Sequence, residues 1–486
     1  MINLNSFRSL SGLAEKYNNR DFRISRDHFS YGKAIGCIAF FAFILRLLIG
    51  AHYLNSYDTE WNIMWGVELG DGFFSAYTHV RQLDYPPFYL YPLYFVGRLV
   101  NDPSIGGYPP FRMLAIKFMP CLCDSLTCVV IYLLARSRDK NLGLLAGAIW
   151  AVNPAAIFNC ACWGQTDCVF MFLAALLMLA LDRKHVTVAG VLWAVMCSTK
   201  LQGLYLTPVV GMEVLAICFG SLRPKEFSFS RSVRNRPAML RFGRFAGFAA
   251  LTLALIYLPF MFGAGFSSYQ PELGFWEKFM KPVTVYSEGV AKYPFATLNG
   301  DNIYMLFGLN SVKDELQVLT GLSISTIGSF FLLAAVAGVV AVYLFGKRRS
   351  HWLAGFFFME CVFMFTCRQH ERYQIPVLVL LICALIQLAD RRLLTLFSLQ
   401  SMVIFFNQFR ILSGVRENKS WWNYYRYSVS SSPEWLNSRN DFAFINSLIN
   451  FLLFAASAVL VGRFFFDDEF DKPLLPRFRR WINENR

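Results

Sequence analysis

Apolar runs close to twenty residues long recur along the sequence, and they decide what the chain can become. About twenty consecutive apolar residues span a bilayer core. Twelve such stretches are read, at 33–53, 112–135, 141–159, 167–182, 186–200, 203–220, 243–264, 323–345, 352–367, 374–389, 393–410 and 441–463. Only 16% of the residues are charged, against about 25% in a soluble domain. The expectation is an all-α integral membrane protein with about 12 transmembrane helices. The start, "MINLNSFRSLSGLAEKYNNRDFRISRDHF", has no apolar core, so it does not read as a cleaved signal peptide.

The net charge of +14 raises nucleic acid as a partner, but its distribution argues otherwise. The densest Lys/Arg stretches, "ARSRDK", "DRKH", "RPKEFSFSRSVRNRPAMLRFGR", "GKRRS" and "DRR", lie between apolar runs. With the N-terminus cytoplasmic, all of them and the tail "PRFRRWINENR" fall on the cytoplasmic side, as the positive-inside rule requires. The organisation read is a cytoplasmic segment 1–32, one membrane domain 33–463 and a basic tail 464–486. The longer segments 54–111, 265–322 and 411–440 then face outward. "YPPFYLYPLYFVGRLV" and "WWNYYRYSV" have the composition of interfacial helices. The 12 cysteines read mainly as small buried hydrophobes. Cys160, Cys162 and Cys168 sit near a membrane exit, without zinc spacing and with a disulfide left open.

Polar residues gather at the outward ends. Asp58 and Glu60 follow the first run, Asp84 opens the proline elbow "DYPP", and "CWGQTD" supplies Gln165 and Asp167. "STKLQGLY" holds Lys200 and Gln202; "LNGDN" holds Asn299, Asp301 and Asn302; "RQHERY" holds Arg368, His370, Glu371 and Arg372. Charges at membrane depth are functional candidates by default, being costly unless paired. Each also has a plainer reading. Asp58 and Glu60 serve as loop solvation, Asp84 caps its turn, Asp167 caps the fourth span, and Lys200 snorkels. Their convergence on one side favours chemistry. Cations suit a phosphate leaving group, and a carboxylate suits proton removal from an attacking hydroxyl. A Gly-rich phosphate loop, a Walker lysine and HExxH are absent from the sequence.

The motifs "YDTEW", "LDYPPFYLY", "IKFMPCLCDSLTCVVIYLLAR" (with Asp124), "NPAAIFNCACWGQTD", "STKLQGLYLTP", "YPFATLNGDNIYMLFG" and "RQHERYQIP" stand in an order similar to one known family. The chain resembles the GT-C superfamily of polyprenyl-phosphate-sugar-dependent glycosyltransferases. The nearest branches in motif order are bacterial proteins related to the GPI mannosyltransferase II and the dolichyl-phosphate-glucose glucosyltransferases of N-glycan precursor assembly. The resemblance implies inverting transfer of a hexose, mannose or glucose, at the lumenal or periplasmic membrane face. It casts Asp58 as general base with Glu60 beside it. Arg372, His370, Glu371, Arg368, Lys200 and Gln202 become donor phosphate and sugar ligands. Gln165, Asp167, Asn302 and Asp84 line the acceptor or sugar pocket, with Asp84 holding the elbow. No metal or cofactor is implied. The partners are the donor lipid and a glycan, lipid-linked or protein acceptor, in a bacterial plasma membrane or the endoplasmic reticulum. The Asn299–Asn302 segment and the 411–440 loop depart from the family pattern. A polyprenyl-lipid or glycolipid transporter, and a relative that binds donor without transfer, are the alternatives.

Overall fold

The computed structural model describes residues 30–52, 57–228, 234–319, 321–417, 438–468 and 470. It is mostly helical. The helices of twelve or more residues are α1 (Tyr31–His52), α2 (Tyr57–Glu68), α3 (Pro87–Val100), α4 (Pro109–Ala135), α5 (Lys140–Ala151), α6 (Asp167–Asp182), α7 (Val186–Cys197) and α8 (Thr207–Phe219). They continue with α9 (Arg236–Gly265), α10 (Phe275–Ala291), α11 (Ile324–Phe345), α12 (His351–Phe365), α13 (Pro376–Leu388), α14 (Arg391–Glu417) and α15 (Ser438–Phe466).

A helix lies at every stretch read as a span, but the helices differ in length. Among the described residues six are long and apolar enough to cross a membrane, or seven if the bent pair Lys140–Ala151 and Pro154–Trp163 is one span. Of the others, α7, α12 and α13 have 12, 15 and 13 residues. These short helices are the buried ones. In α13 every residue from Pro376 to Ala384 is buried, so it reads as a continuous apolar run with no polar face. By contrast, only 17% of the apolar stretch of α11 and 22% of that of α9 is buried, which places both on the outside of the bundle.

The helix starts follow from local chemistry. Asp139, Ser323 and Ser350 accept the free backbone N–H groups of α5, α11 and α12. Asn153 does the same for the turn Pro154–Ile157. Buried charges are paired, as their desolvation demands. Arg46 of α1 meets Asp124 of α4 at 2.6 Å with both side chains fully buried, and the Trp150 indole N–H donates to the same carboxylate.

Over residues 57–100, α2 precedes α3, and the stretch "YPPFYLYPLYFVGRLV" is helical from Pro87 in α3. These two pack backbone to backbone. A Cβ at Gly97 would stand 1.8 Å from the Gly66 carbonyl oxygen, so only glycine permits the approach. That contact fixes the helix on which Asp58 rides. Tyr89 is 2% exposed and belongs to the core. In the second outer segment, β1 (Thr297–Leu298) precedes the hairpin β2 (Gln317–Leu319) and β3 (Leu322–Ser323). β1 pairs in parallel with β4 (Gln369–His370), in the register Thr297↔Gln369 and Leu298↔His370. The "WWNYYRYSV" stretch, residues 1–29 and the tail beyond 470 lie outside the described residues. All twelve cysteines are free thiols.

Candidate functional site

At one end of the bundle, α6 begins, α7 ends, and α12 gives way to α13. The turns there, together with α2 and the second outer segment, enclose a cavity of about 200 Å³. Asp58, Lys200, Gln202, His370, Glu371 and Arg372 line it, and Asp84 sits on its rim. Segments far apart in sequence are thus brought together, and two devices do most of the work. Gly164 at φ +77° closes the π-helical turn Phe158–Trp163 and turns Trp163 toward Asp58. The β1–β4 pairing holds "RQHER" against the second outer segment.

Asp58 stands in the first turn of α2 with its side chain 32% exposed. Trp163 Nε1 donates to Oδ2 at 3.0 Å and Gln165 Nε2 to the same oxygen at 2.6 Å. Oδ1 takes no hydrogen bond among the described residues. One carboxylate oxygen is therefore tethered and the other left for a ligand.

Facing it is a compact charged wall. Arg372 Nη2 lies 3.8 Å from Asp58 Oδ2, Nη1 donates to Glu371 Oε1 at 2.5 Å, and Nε is 3.9 Å from Asp167 Oδ2. Lys200 Nζ donates to Asp167 Oδ1 at 2.6 Å. The Arg372 guanidinium also lies 5.6 Å from the ring centres of both Trp163 and Tyr373, a cation–π clamp. Three buried atoms of this wall, Asp167 Oδ2, Glu371 Oε2 and Arg372 Nε, have no hydrogen-bond partner among the described residues. Buried polar atoms are rarely left so without a reason.

Burial sets the protonation of this wall. His370 is driven well below the usual imidazole range by burial, reinforced by Arg372 and Lys200, so its ring is neutral. Burial raises the Glu371 carboxyl, against the pull of Arg372. Arg372 stays charged: burial opposes this, but Asp58, Glu371 and Asp167 outweigh it.

The remaining residues singled out in the sequence lie elsewhere or do other work. Glu60 turns away to Arg112 at 3.2 Å and does not line the cavity. Arg368 is committed to Asp314 at 2.7 Å and to the Val290 carbonyl, outside the lining. Asn302 is fully buried, capping the turn Ile303–Leu306. Gln165 and Asp167 stand behind the lining, one orienting Asp58 and the other holding Lys200. Asp167 does not cap α6 with its side chain, since no side-chain cap bond is made there. Asp84 pairs with Lys292 at 2.6 Å instead of accepting backbone N–H groups.

Sequence reasoning missed Trp61, Asn62, Trp65, Trp163, Lys292 and Tyr293, all on the lining. Asp58, Trp61, Asn62 and Trp65 follow helical spacing, a signal that was available. Lys292 and Tyr293 carry no such mark; α10 delivers them. Among the described residues no group of three or more His, Cys, Asp or Glu side chains is placed to hold a metal ion.

Residues 66–286 match the family model described as GPI transamidase subunit PIG-U. The match takes in Asp84, Lys200 and Gln202 and stops short of both Asp58 and the "RQHER" turn. No curated protein matches the chain. Solved structures that match include oligosaccharyltransferases of Archaeoglobus fulgidus. One, tethered to an acceptor peptide with the NVT sequon, has 15% identity and a TM-score of 0.34 over 89% of this chain and 55% of that one. Another, with zinc and sulfate, has 14% identity and a TM-score of 0.36 over 87% and 53%. A third, AglB with an inhibitory peptide and a dolichol-phosphate, has 13% identity and a TM-score of 0.31 over 88% and 56%. The chain spans about half the length of these structures. The multiple apolar helices point to a multi-pass membrane protein.

Proposed function

We propose that the chain is an inverting hexosyltransferase of GT-C type. It takes mannose or glucose from a polyprenyl phosphate and passes it to an acceptor hydroxyl at the lumenal or periplasmic face. In this reading one membrane domain, 33–463, crosses the bilayer twelve times, and the cavity opens outward. The observation that supports it is the approach of a half-tethered carboxylate, Asp58, to the cations Arg372 and Lys200 in one small cavity with unsatisfied buried polar atoms.

In the reaction the acceptor oxygen bonds to the anomeric carbon while the bond from that carbon to the phosphate oxygen breaks. The acceptor proton passes to Asp58 Oδ1, and the electron pair leaves with the polyprenyl phosphate. Arg372 and Lys200 hold the departing charge, already oriented before reaction. Neutral His370 offers a ring N–H to the sugar or phosphate, and Gln202 offers an amide. The Trp61, Trp65 and Trp163 rings give the hexose apolar faces. Asp84 and Asn302 act on shape.

The test is hexose transfer by the purified protein from radiolabelled polyprenyl-phosphate mannose and glucose, with a membrane acceptor extract. Asp58→Asn keeps the shape and removes the base, so transfer falls by roughly 10²- to 10⁴-fold with melting unchanged. Equal transfer by both proteins overturns Asp58 as base.

The PIG-U match favours a second reading, a subunit that binds a glycolipid without transferring sugar. Donor lipid retained with no turnover from any donor selects it.

A further inference from the structure

A second cavity lies at the other end of the bundle. Helices α6, α8 and α12 each run from the Asp58 cavity to this second one. The 15 residues of α12 put roughly 22 Å between them. The second cavity measures about 460 Å³. It lies where α8 and α11 end and α12 begins, beside the α6–α7 turn.

Its lining carries Lys184, Arg223, Lys347, Arg348 and Arg349, and no carboxylate. The acids that answer these cations stand off the lining. Glu213 takes Arg349, Asp468 takes Lys347, and Glu226 reaches Arg223 only at 3.7 Å. Arg223 is built in, donating to the Gly346 and Lys347 carbonyls. Arg348 is held by the Phe464 and Asp467 carbonyls and lies over Phe470. Lys184 is exposed, and its ammonium has no partner among the described residues. Ser221, Ser350 and Tyr343 add polar groups, and Ile217, with Val342 of α11, forms an apolar part of the wall. That helix is on the bundle's outer face, and its last residue, Phe345, is 60% exposed. The cavity therefore joins a cationic bowl to a surface where acyl chains run.

We infer that this cavity is a binding site for the head group of an anionic phospholipid. The phosphate sits among Lys184, Arg223 and Lys347, and the acyl chains lie along α11. Basic pockets between membrane helices recognise such head groups, and each nearby cation contributes on the order of a fivefold gain in affinity. The site is independent of any reaction in the Asp58 cavity.

The test uses the full chain, delipidated in detergent and titrated with phosphatidylglycerol, phosphatidylcholine or inorganic pyrophosphate, with bound species read by native mass spectrometry. Wild type retains phosphatidylglycerol over phosphatidylcholine. Lys184→Gln and Lys347→Gln, neither of which holds a helix, each weaken that retention about fivefold, with melting unchanged. Lys225→Gln, exposed and off the lining, leaves it unaltered. Retention unchanged in the Lys184→Gln/Lys347→Gln double variant overturns the site, as does equal loss in Lys225→Gln. Pyrophosphate bound with no lipid retained overturns the lipid assignment.

Discussion

Asp58 and Arg372 stand more than 300 residues apart in the sequence, yet their charged groups lie 3.8 Å apart in one cavity. Neither pairing is complete. Among the described residues Asp58 keeps Oδ1 without a hydrogen bond, and Arg372 Nε makes none, standing 3.9 Å from Asp167 Oδ2.

Arg372→Lys tests the planar fork. A lysine keeps the charge but cannot reach Glu371, Asp167 and the two aromatic rings together. With one charged hydrogen bond to the donor lost, kcat/KM for the donor falls roughly tenfold to a hundredfold. An unchanged kcat/KM in the transfer assay removes Arg372 from donor binding.

Lys200 and Asp167 form a pair with side chains 8% and 1% exposed. Removing one partner strands a buried charge, so Lys200→Met lowers stability by about 3–5 kcal/mol. The double variant Lys200→Met/Asp167→Asn costs less than the sum of the singles. Thermal melting in detergent reads the coupling, and strict additivity contradicts it.

Asp84 and Lys292 sit at the rim, 27% and 29% exposed. Such pairs contribute at most about 1 kcal/mol, and the elbow is held independently by Pro86, Pro87 and the Tyr77 hydroxyl on the Tyr85 carbonyl. Asp84→Asn therefore leaves melting and transfer nearly unchanged. Abolished transfer in a folded Asp84→Asn protein would place this acid in the chemistry.

His370 gives a pH signature. Its folded ring resists protonation well below the ordinary value of 6.5, whereas the unfolded chain takes up the proton near that value. Stability from this group is complete above pH 6.5 and is lost as pH falls from there toward the depressed folded value. The slope is about 1.4 kcal/mol per pH unit inside that window. His370→Gln removes this component, so the difference in melting between the two proteins shrinks on acidification. A constant difference from pH 7.5 to 5 contradicts a neutral buried imidazole.

The sequence made the helical stretches legible because apolar runs are set by the bilayer itself. It also singled out Asp58, Lys200, Gln202 and "HER", and all of them line one cavity. Partner choice was not legible. Glu60 is two positions from Asp58, about 200° around a helix, so it points to Arg112 instead of the cavity. Arg368 is two positions before His370 but holds a left-handed φ of 65°, which swings it to Asp314. Nor does composition distinguish Asn302 as a cap from Asn302 as a ligand. These outcomes depend on tertiary geometry that local pattern does not encode.

The shortness of α7, α12 and α13 has a consequence for how the cavity is reached. A 12-residue helix rises roughly 18 Å, against a hydrocarbon thickness of about 30 Å. Because the longer α9 and α11 stand outside them, the turns that carry Lys200 and Arg372 sit recessed within the protein and not at a lipid boundary. In the proposed reading an anion must leave the headgroup layer to meet those cations, so protein charge takes the place of its hydration.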